Sequence, residues 1–150
     1  MITQNITSIS ESIIDTVGNT PLVKLNNVLD DSHFNLFGKL EAANPAGSIK
    51  DRTSLYIIEQ ALASGTIKKG DTVIESSSGN MAVGLAQACL YYGLKLIVVV
   101  DPKLNSHTEK ILRTYGVRIE HVTVPKENGG YLAARLERVQ QLLDQIPNSY

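Results

Sequence analysis

The sequence has a single cysteine, Cys89, and no excess of charge of either sign. One cysteine cannot form a disulfide within the chain, which excludes a disulfide-stapled secreted scaffold. Because Cys89 lies in an apolar helical stretch, we interpret it as a small core residue. A single unpaired cysteine also fits a protein of a reducing compartment. Fourteen Lys and Arg residues against fifteen Asp and Glu residues provide neither a basic surface for nucleic acid nor an acidic tail.

Long hydrophobic runs are also absent, so a membrane-spanning segment is not predicted. The first dozen residues are polar and lack a charged-then-apolar leader, from which we expect a cytoplasmic protein.

The three histidines, His33, His107 and His121, have no spacing that suits a metal, and no metal site is predicted. A chain of 150 residues is long enough for one domain with a core.

The apolar pattern alternates between segments typical of strands and segments typical of helices. We predict strands at Leu22–Leu25, Asn35–Glu41, Thr72–Glu75, Lys95–Val100 and Val117–Val122, and helices at Ser48–Ser64, Met81–Tyr92, Ser106–Tyr115 and Tyr131–Ile146. The last helix carries one apolar stripe expected to pack on the sheet: Leu132, Leu136, Val139, Leu143 and Ile146. This alternation predicts an α/β fold, an open parallel sheet with helices on both faces.

The stretch Asn44–Arg52 contains the first candidate for chemistry. It reads as a loop that turns sharply and then starts a helix, with Ser48 and Asp51 at the spacing of a capping box. Lys50 would lie in the first helical turn, where the helix dipole and Arg52 disfavour a further positive charge. Its amine is therefore a candidate nucleophile for a carbonyl cofactor, although a lysine at a helix start is more often simply solvated.

The turn Ser77–Asn80, with the sequence Ser-Ser-Gly-Asn, is the second candidate. It joins hydroxyl groups, a glycine that allows close approach and the N-terminus of a helix, where free N–H groups favour an anion. A serine-rich helix cap is the alternative. Both candidate loops follow predicted strands, and ligands of parallel α/β sheets bind at the carboxyl ends of strands.

Both stretches resemble motifs of one family. Asn44–Arg52 is similar to Asn-Pro-x-x-Ser-x-Lys-Asp-Arg, the cofactor-lysine motif of the pyridoxal-phosphate enzymes of the cysteine synthase and cystathionine β-synthase family, and every specified position matches. Val17–Val23 resembles the opening Gly-x-Thr-Pro-Leu-Val of the same family. The resemblance implies the tryptophan synthase β-like fold of the fold type II enzymes. It also implies that Lys50 is the catalytic residue that binds pyridoxal 5′-phosphate and that Asn80 faces the ring hydroxyl of this cofactor.

The resemblance further implies substrate contacts. Ser77, Ser78 and Gly79 would bind the carboxylate of an amino-acid substrate, next to Met81, which stands where cysteine synthases usually carry threonine. Arg135 corresponds to an arginine near the substrate phosphate. A surface arginine on the polar face of its helix is the alternative.

The stretches Met81–Ala82 and Asp101–Asn105 depart from the cysteine synthases. Three features are considered together: the apolar Met81 after Asn80, Val100–Lys103 and Gly129–Leu132. They look like the branch that makes 2,3-diaminopropionate for siderophores by joining O-phospho-L-serine to L-glutamate. The resemblance thus implies a transferase that replaces the β-substituent of an activated serine. Two alternatives stay open, a cysteine synthase and a non-catalytic truncated relative that acts as a binding module.

The resemblance covers residues 14–150 and predicts the N-terminal portion of a longer synthase, because the family's phosphate-binding loop is not found in this stretch. We expect residues 42–148 to form the smaller α/β domain and residues 14–40 to pack on the larger one. The whole enzyme is expected to be a homodimer that binds small amino acids and neither nucleic acid nor membrane.

Overall fold

The computed structural model describes residues 9–26, 28 and 33–150. Its strands are β1 (Leu22–Lys24), β2 (Phe37–Lys39), β3 (Thr72–Glu75), β4 (Lys95–Val100) and β5 (Arg118–His121). Its α-helices are α1 (Lys50–Ala63), α2 (Asn80–Tyr92), α3 (Ser106–Thr114) and α4 (Gly130–Gln145). Two short 3-10 helices, Ile14–Thr16 and Glu41–Ala43, precede α1.

A parallel sheet in the order β3-β4-β5 lies at the centre of the fold. Successive residues of β4 point to opposite faces, as in any strand. Leu96, Val98 and Val100 belong to the core formed with α1, α2 and α3. Ile97 and Val99 belong to a second core on the side of α4. The predicted parallel sheet with helices on both faces is therefore confirmed, with β4 as its central strand.

The strand predicted at Asn35–Glu41 lies outside this parallel sheet. Only its middle part forms β2, which pairs antiparallel with β1 in a separate two-stranded sheet. The residues of β2 are exposed or half-buried, so this strand lacks the apolar surface of a parallel strand covered on both faces. The 3-10 helix Glu41–Ala43 then separates it from the loop that carries Lys50.

The apolar stripe predicted for the last helix is only partly buried. Val139, Leu143 and Ile146 pack on the second core, whereas Leu132 and Leu136 are 56% and 54% exposed. A helix of 16 residues is about 24 Å long, but strands of four to six residues reach only about 13–20 Å. The first turns of α4 therefore extend past the carboxyl edge of the sheet, where they have no strand to cover.

The end of the chain adds to the free edge of β3. The N–H of Tyr150 donates to the carbonyl of Thr72 at 2.9 Å, and the N–H of Ile74 donates to the carbonyl of Tyr150 at 2.8 Å. Ser149 forms a parallel bridge with Thr72. In the part of the chain that the structure describes, none of the helices is both long and apolar enough to span a membrane.

Candidate active site

The loop that carries Lys50 is closed by the side chain of Asn44, which is 4% exposed. The Asn44 amide nitrogen donates to the carbonyls of Glu41 and Ser48 at 2.9 and 3.0 Å. Its oxygen accepts the N–H of Gly18 at 2.8 Å. One buried side chain thus fixes both ends of the turn before α1 and attaches it to the turn at Gly18.

Ser48 and Asp51 hold the start of α1, but not with the hydrogen bonds of the predicted capping box. Ser48 Oγ accepts the N–H of Lys50 at 3.1 Å instead of that of Asp51. The Asp51 carboxylate reaches back to the N–H of Ala46 at 2.6 Å. The predicted position of Lys50 in the first helical turn is confirmed, because α1 begins at this residue.

Arg52 anchors the same loop through Glu41. Its Nε and Nη2 donate to the two carboxylate oxygens of Glu41 at 2.8 and 3.0 Å. The hydroxyl of Thr20 donates to this carboxylate at 2.8 Å. The hydrogen bond from Arg52, helped by those from Thr20 and Asn44, lowers the pKa of Glu41 from 4.5 to about 2. The two sequence motifs, around Thr20 and around Lys50, are therefore joined by one charged network.

Lys50 differs from the other polar side chains of its motif. Asn44, Ser48, Asp51 and Arg52 are each engaged in the hydrogen bonds described above. Lys50 is exposed, and its amine has neither a hydrogen bond nor an ion pair among residues 9–26, 28 and 33–150. Within this motif, the amine of Lys50 is therefore free to react.

The first turns of α1 and α2 lie side by side, on the same face of the sheet. Gly84 makes this possible, because a Cβ on it would come within 2.6 Å of Ser54 Oγ and 3.2 Å of the carbonyl oxygen of Lys50. Ser54 Oγ also lies 3.4 Å from the carbonyl oxygen of Met81. The structure therefore brings Lys50 next to the start of the helix that carries Asn80, and both of these side chains are exposed.

The turn before α2 leaves donors free for an anion. Gly79 adopts an extended conformation, and no side chain caps the helix, so its first N–H groups have no helical acceptor. Ser77 Oγ accepts the N–H of Gly79 at 3.3 Å, and Ser78 has no hydrogen bond within the described parts of the chain. Ser76 Oγ is buried without a partner. This turn has the features that the sequence predicted for binding a carboxylate.

Arg135 lies at the same edge of the sheet but on the side of α4. Its side chain is 15% exposed, and its Nε lies 3.5 Å from Oδ2 of Asp101, the residue that follows β4. Arg135 is therefore largely covered and paired with a carboxylate, which does not favour the alternative of a surface arginine. Burial raises the pKa of Glu75, the last residue of β3, and the positive charge of Arg135 acts against this rise.

Other reactive groups lie away from this edge or are inert. Cys89 is buried in α2, and burial raises the pKa of its thiol to about 12. No group of three or more His, Cys, Asp or Glu residues could hold a metal ion, as far as the described residues are concerned.

Three residues of the site were not predicted from the sequence. Glu41 is eleven positions from Arg52, and no local spacing reveals such a pair. Asp101 belongs to a stretch that the sequence analysis singles out, but its pairing with Arg135 is not predicted there. Gly84 carried a usable signal, because a glycine inside an otherwise apolar helix indicates close approach of another backbone.

The chain matches the family model described as "Pyridoxal-phosphate dependent enzyme" over residues 13–150. A curated relative from Ralstonia nicotianae, N-(2-amino-2-carboxyethyl)-L-glutamate synthase, is 51% identical over 141 residues, which make up 94% of this chain and 42% of the relative. The chain thus spans less than half of the length of this relative.

Two solved structures have the same architecture. A hydrogen sulfide-producing enzyme from Fusobacterium nucleatum gives a TM-score of 0.83 at 35% identity, over 97% of this chain and 46% of the enzyme. An O-acetylserine dependent cystathionine beta-synthase from Helicobacter pylori gives 0.81 at 31% identity, over 95% of this chain and 46% of that one. The predicted fold type II architecture is confirmed, and the chain belongs to the pyridoxal-phosphate dependent enzyme family.

Proposed function

We propose that this chain supplies the catalytic lysine and the substrate-binding turn of a synthase that replaces the β-substituent of an activated serine. The observation that carries the proposal is the free amine of Lys50 beside the start of α2, within a motif whose other polar side chains are all engaged. A non-catalytic binding module would not need an unpaired amine at this place.

The residues present fit pyridoxal 5′-phosphate at its aldehyde end. A primary amine without a partner suits an aldehyde, and the exposed amide of Asn80 suits a ring hydroxyl. Lys50 and Asn80 would therefore hold the cofactor. Bound there, its conjugated ring would supply the electron withdrawal that loosens the α-hydrogen of an amino acid.

The side chains and backbone of this chain would then perform the remaining tasks. The free N–H groups at the start of α2, with Ser77, Ser78 and Gly79, would bind and orient the substrate carboxylate. Met81, partly buried against the first core, would border the same turn and help to exclude water. The Lys50 amine would accept the proton from the α-carbon as a general base.

For the substrates, we propose O-phospho-L-serine and L-glutamate. In this reaction the bond from the serine β-carbon to the phosphate oxygen breaks, and a bond to the glutamate nitrogen forms. Inorganic phosphate and one proton leave, and the product is N-(2-amino-2-carboxyethyl)-L-glutamate. The name of the relative at 51% identity supports this choice, and a half-buried arginine at the sheet edge suits a phosphate.

A cysteine synthase is the second candidate. It is favoured by the structural similarity to a hydrogen sulfide-producing enzyme, at a TM-score of 0.83. The two reactions differ in the nucleophile, an amine or sulfide, and therefore in the mass of the product.

Reduction with borohydride tests the cofactor assignment. We expect the complete synthase, incubated with pyridoxal phosphate and reduced, to carry a pyridoxyl group on the peptide with Lys50, and the Lys50→Arg variant to carry none there. Lys103→Arg, which alters an exposed lysine after β4, is the matched control and should retain the adduct. Modification of other lysines alone would remove Lys50 from the catalytic role.

Mass spectrometry of the products tests the substrates. The complete synthase is supplied with O-phospho-L-serine or O-acetyl-L-serine, and with L-glutamate or sulfide. The proposal expects the glutamate adduct from O-phospho-L-serine, whereas cysteine as the main product would favour the second candidate.

The proposal extends to the organisation of the protein. Residues 42–148 would be the smaller domain of the synthase, and residues 14–40 would pack on a larger domain. Leu22, Val23 and Phe37 of the β1–β2 sheet are exposed, as such a contact requires. We further propose a cytoplasmic homodimer that provides 2,3-diaminopropionate for siderophore biosynthesis.

A further inference from the structure

Arg135 faces the carboxylate of Asp101 with one side of its guanidinium. Its Nε is buried, lies 3.5 Å from Oδ2 of Asp101 and has no hydrogen bond of good geometry. Its two terminal nitrogens form no hydrogen bond with any described residue, and they are not counted among the buried unpaired atoms. The inner edge of the guanidinium therefore faces a carboxylate, and the outer edge is reached by solvent.

Asp101 is itself rigidly placed. Its side chain is 7% exposed, and its Oδ1 accepts the N–H of Lys103 at 2.8 Å. Its own carbonyl accepts the N–H of Leu104 at 3.1 Å. The carboxylate thus belongs to a tight turn directly after the central strand, and it presents one fixed oxygen to Arg135.

The location of this pair connects it to the substrate-binding turn. Asp101 follows β4, and the turn with Ser76 and Ser77 follows β3, the neighbouring parallel strand. Glu75, at the end of β3, is close enough for the charge of Arg135 to act on its pKa. The guanidinium therefore lies at the carboxyl edge of the sheet, in contact with Asp101 after β4 and near Glu75 at the end of β3.

We propose that Asp101 is a positioning residue for substrate selection: through its ion pair with Nε of Arg135, it orients the terminal nitrogens of the guanidinium toward the phosphate of a phosphorylated amino-acid substrate. The inference rests on the proposed function, which it deepens by naming what fixes the phosphate-binding group. A guanidinium fixed at one edge loses little rotational freedom when it binds a phosphate with two parallel hydrogen bonds.

The decisive variant is Asp101→Asn in the complete synthase. The amide oxygen can still accept the N–H of Lys103, so the turn is retained, but the amide NH2 then meets the Nε–H of Arg135, donor against donor. We expect the KM for O-phospho-L-serine to rise about tenfold, with the KM for O-acetyl-L-serine unchanged. Calorimetric titration of both ligands in a Lys50→Ala background should give the same selective loss without turnover.

The outcomes separate the two levels of the proposal. If Asp101→Asn weakens the binding of both ligands equally, or does not weaken the binding of O-phospho-L-serine, the role of Asp101 is overturned while the proposed reaction stands. A wild-type enzyme that does not bind O-phospho-L-serine overturns the proposed substrate and this inference together. In the Arg135→Ala background, Asp101→Asn should have no further effect on the phosphorylated ligand, and an additive effect contradicts the inference.

Arg135→Lys provides a second test if Asp101→Asn does not fold. Lysine retains the positive charge but has no counterpart of Nε for Asp101 to hold. We expect it to lose most of the preference for O-phospho-L-serine over O-acetyl-L-serine. Retention of the full preference overturns the positioning role.

Discussion

Substitution of Gly84 by alanine tests the close contact between α1 and α2 that brings Lys50 beside the substrate-binding turn. The added Cβ would lie 2.6 Å from Ser54 Oγ, 3.1 Å from Ser54 Cβ and 3.2 Å from the carbonyl oxygen of Lys50. The last of these atoms belongs to the backbone and cannot rotate away. The two helices must therefore separate at the start of α1.

Two effects of opposite sign determine the free energy of unfolding. Alanine in place of glycine inside a helix stabilises by about 1 kcal/mol. Overpacking of a filled interior destabilises by about 1–3 kcal/mol. We expect a net loss of about 1 kcal/mol, measured by urea denaturation followed by circular dichroism. Because Lys50 moves with its carbonyl group, we also expect kcat of the complete synthase to fall by about tenfold or more.

A double-mutant cycle with Ser54→Ala isolates the contact. Removing the hydroxyl eliminates the 2.6 Å contact, so Gly84→Ala should cost less in this background, with a coupling of about 0.5–1 kcal/mol. Gly79→Ala is the control for the free energy of unfolding and not for kcat, because a Cβ there meets no atom within 4 Å but the residue belongs to the substrate-binding turn. A Gly84→Ala protein that gains the full benefit of helix propensity would refute the close approach of the two helices.

Three further predictions concern single side chains. The pKa of Glu41 is about 2 in the folded protein and 4.5 ordinarily, so its contribution to stability is complete above pH 4.5 and is lost as the pH falls toward 2. The difference in urea midpoint between wild type and Glu41→Gln should therefore shrink over this range, and a constant difference would contradict the assignment. Cys89 is buried and its pKa is raised to about 12, so the native protein should not react with Ellman's reagent at pH 8 until urea unfolds it. Lys50→Ala should change the free energy of unfolding by less than about 0.5 kcal/mol, because its amine has no partner in the described parts of the chain, and a larger loss would indicate a structural role.

The elements of the central sheet could be predicted because their signals are local. Thr72–Glu75 and Lys95–Val100 are strands at the predicted bounds. Both are short runs rich in β-branched residues between turn residues, a pattern that is typical of strands. Periodicity is less informative for α4. It identifies an apolar face, but the length of the neighbouring strands determines which part of that face is covered, and Leu132 lies beyond them.

The sequence predicts which chemical groups form the candidate site, but not the long-range contacts that hold them in place. The motif around Lys50 was recognisable because its residues are contiguous. Long-range partners such as Glu41 with Arg52, or Asp101 with Arg135, depend on how the chain turns between them. The same limit applies to Ser48, whose spacing predicted a helix start but not which N–H its hydroxyl accepts.

The loop around Lys50 is held in place without the side chain of Lys50, and this has an evolutionary consequence. The other polar side chains of this motif form hydrogen bonds that do not involve the amine of Lys50. Loss of the lysine alone would therefore leave a protein that folds, accumulates and resembles its ancestor over its whole length. Inactive descendants should therefore arise easily in this lineage and persist as scaffolds, and only the identity of that one side chain would separate them from working enzymes.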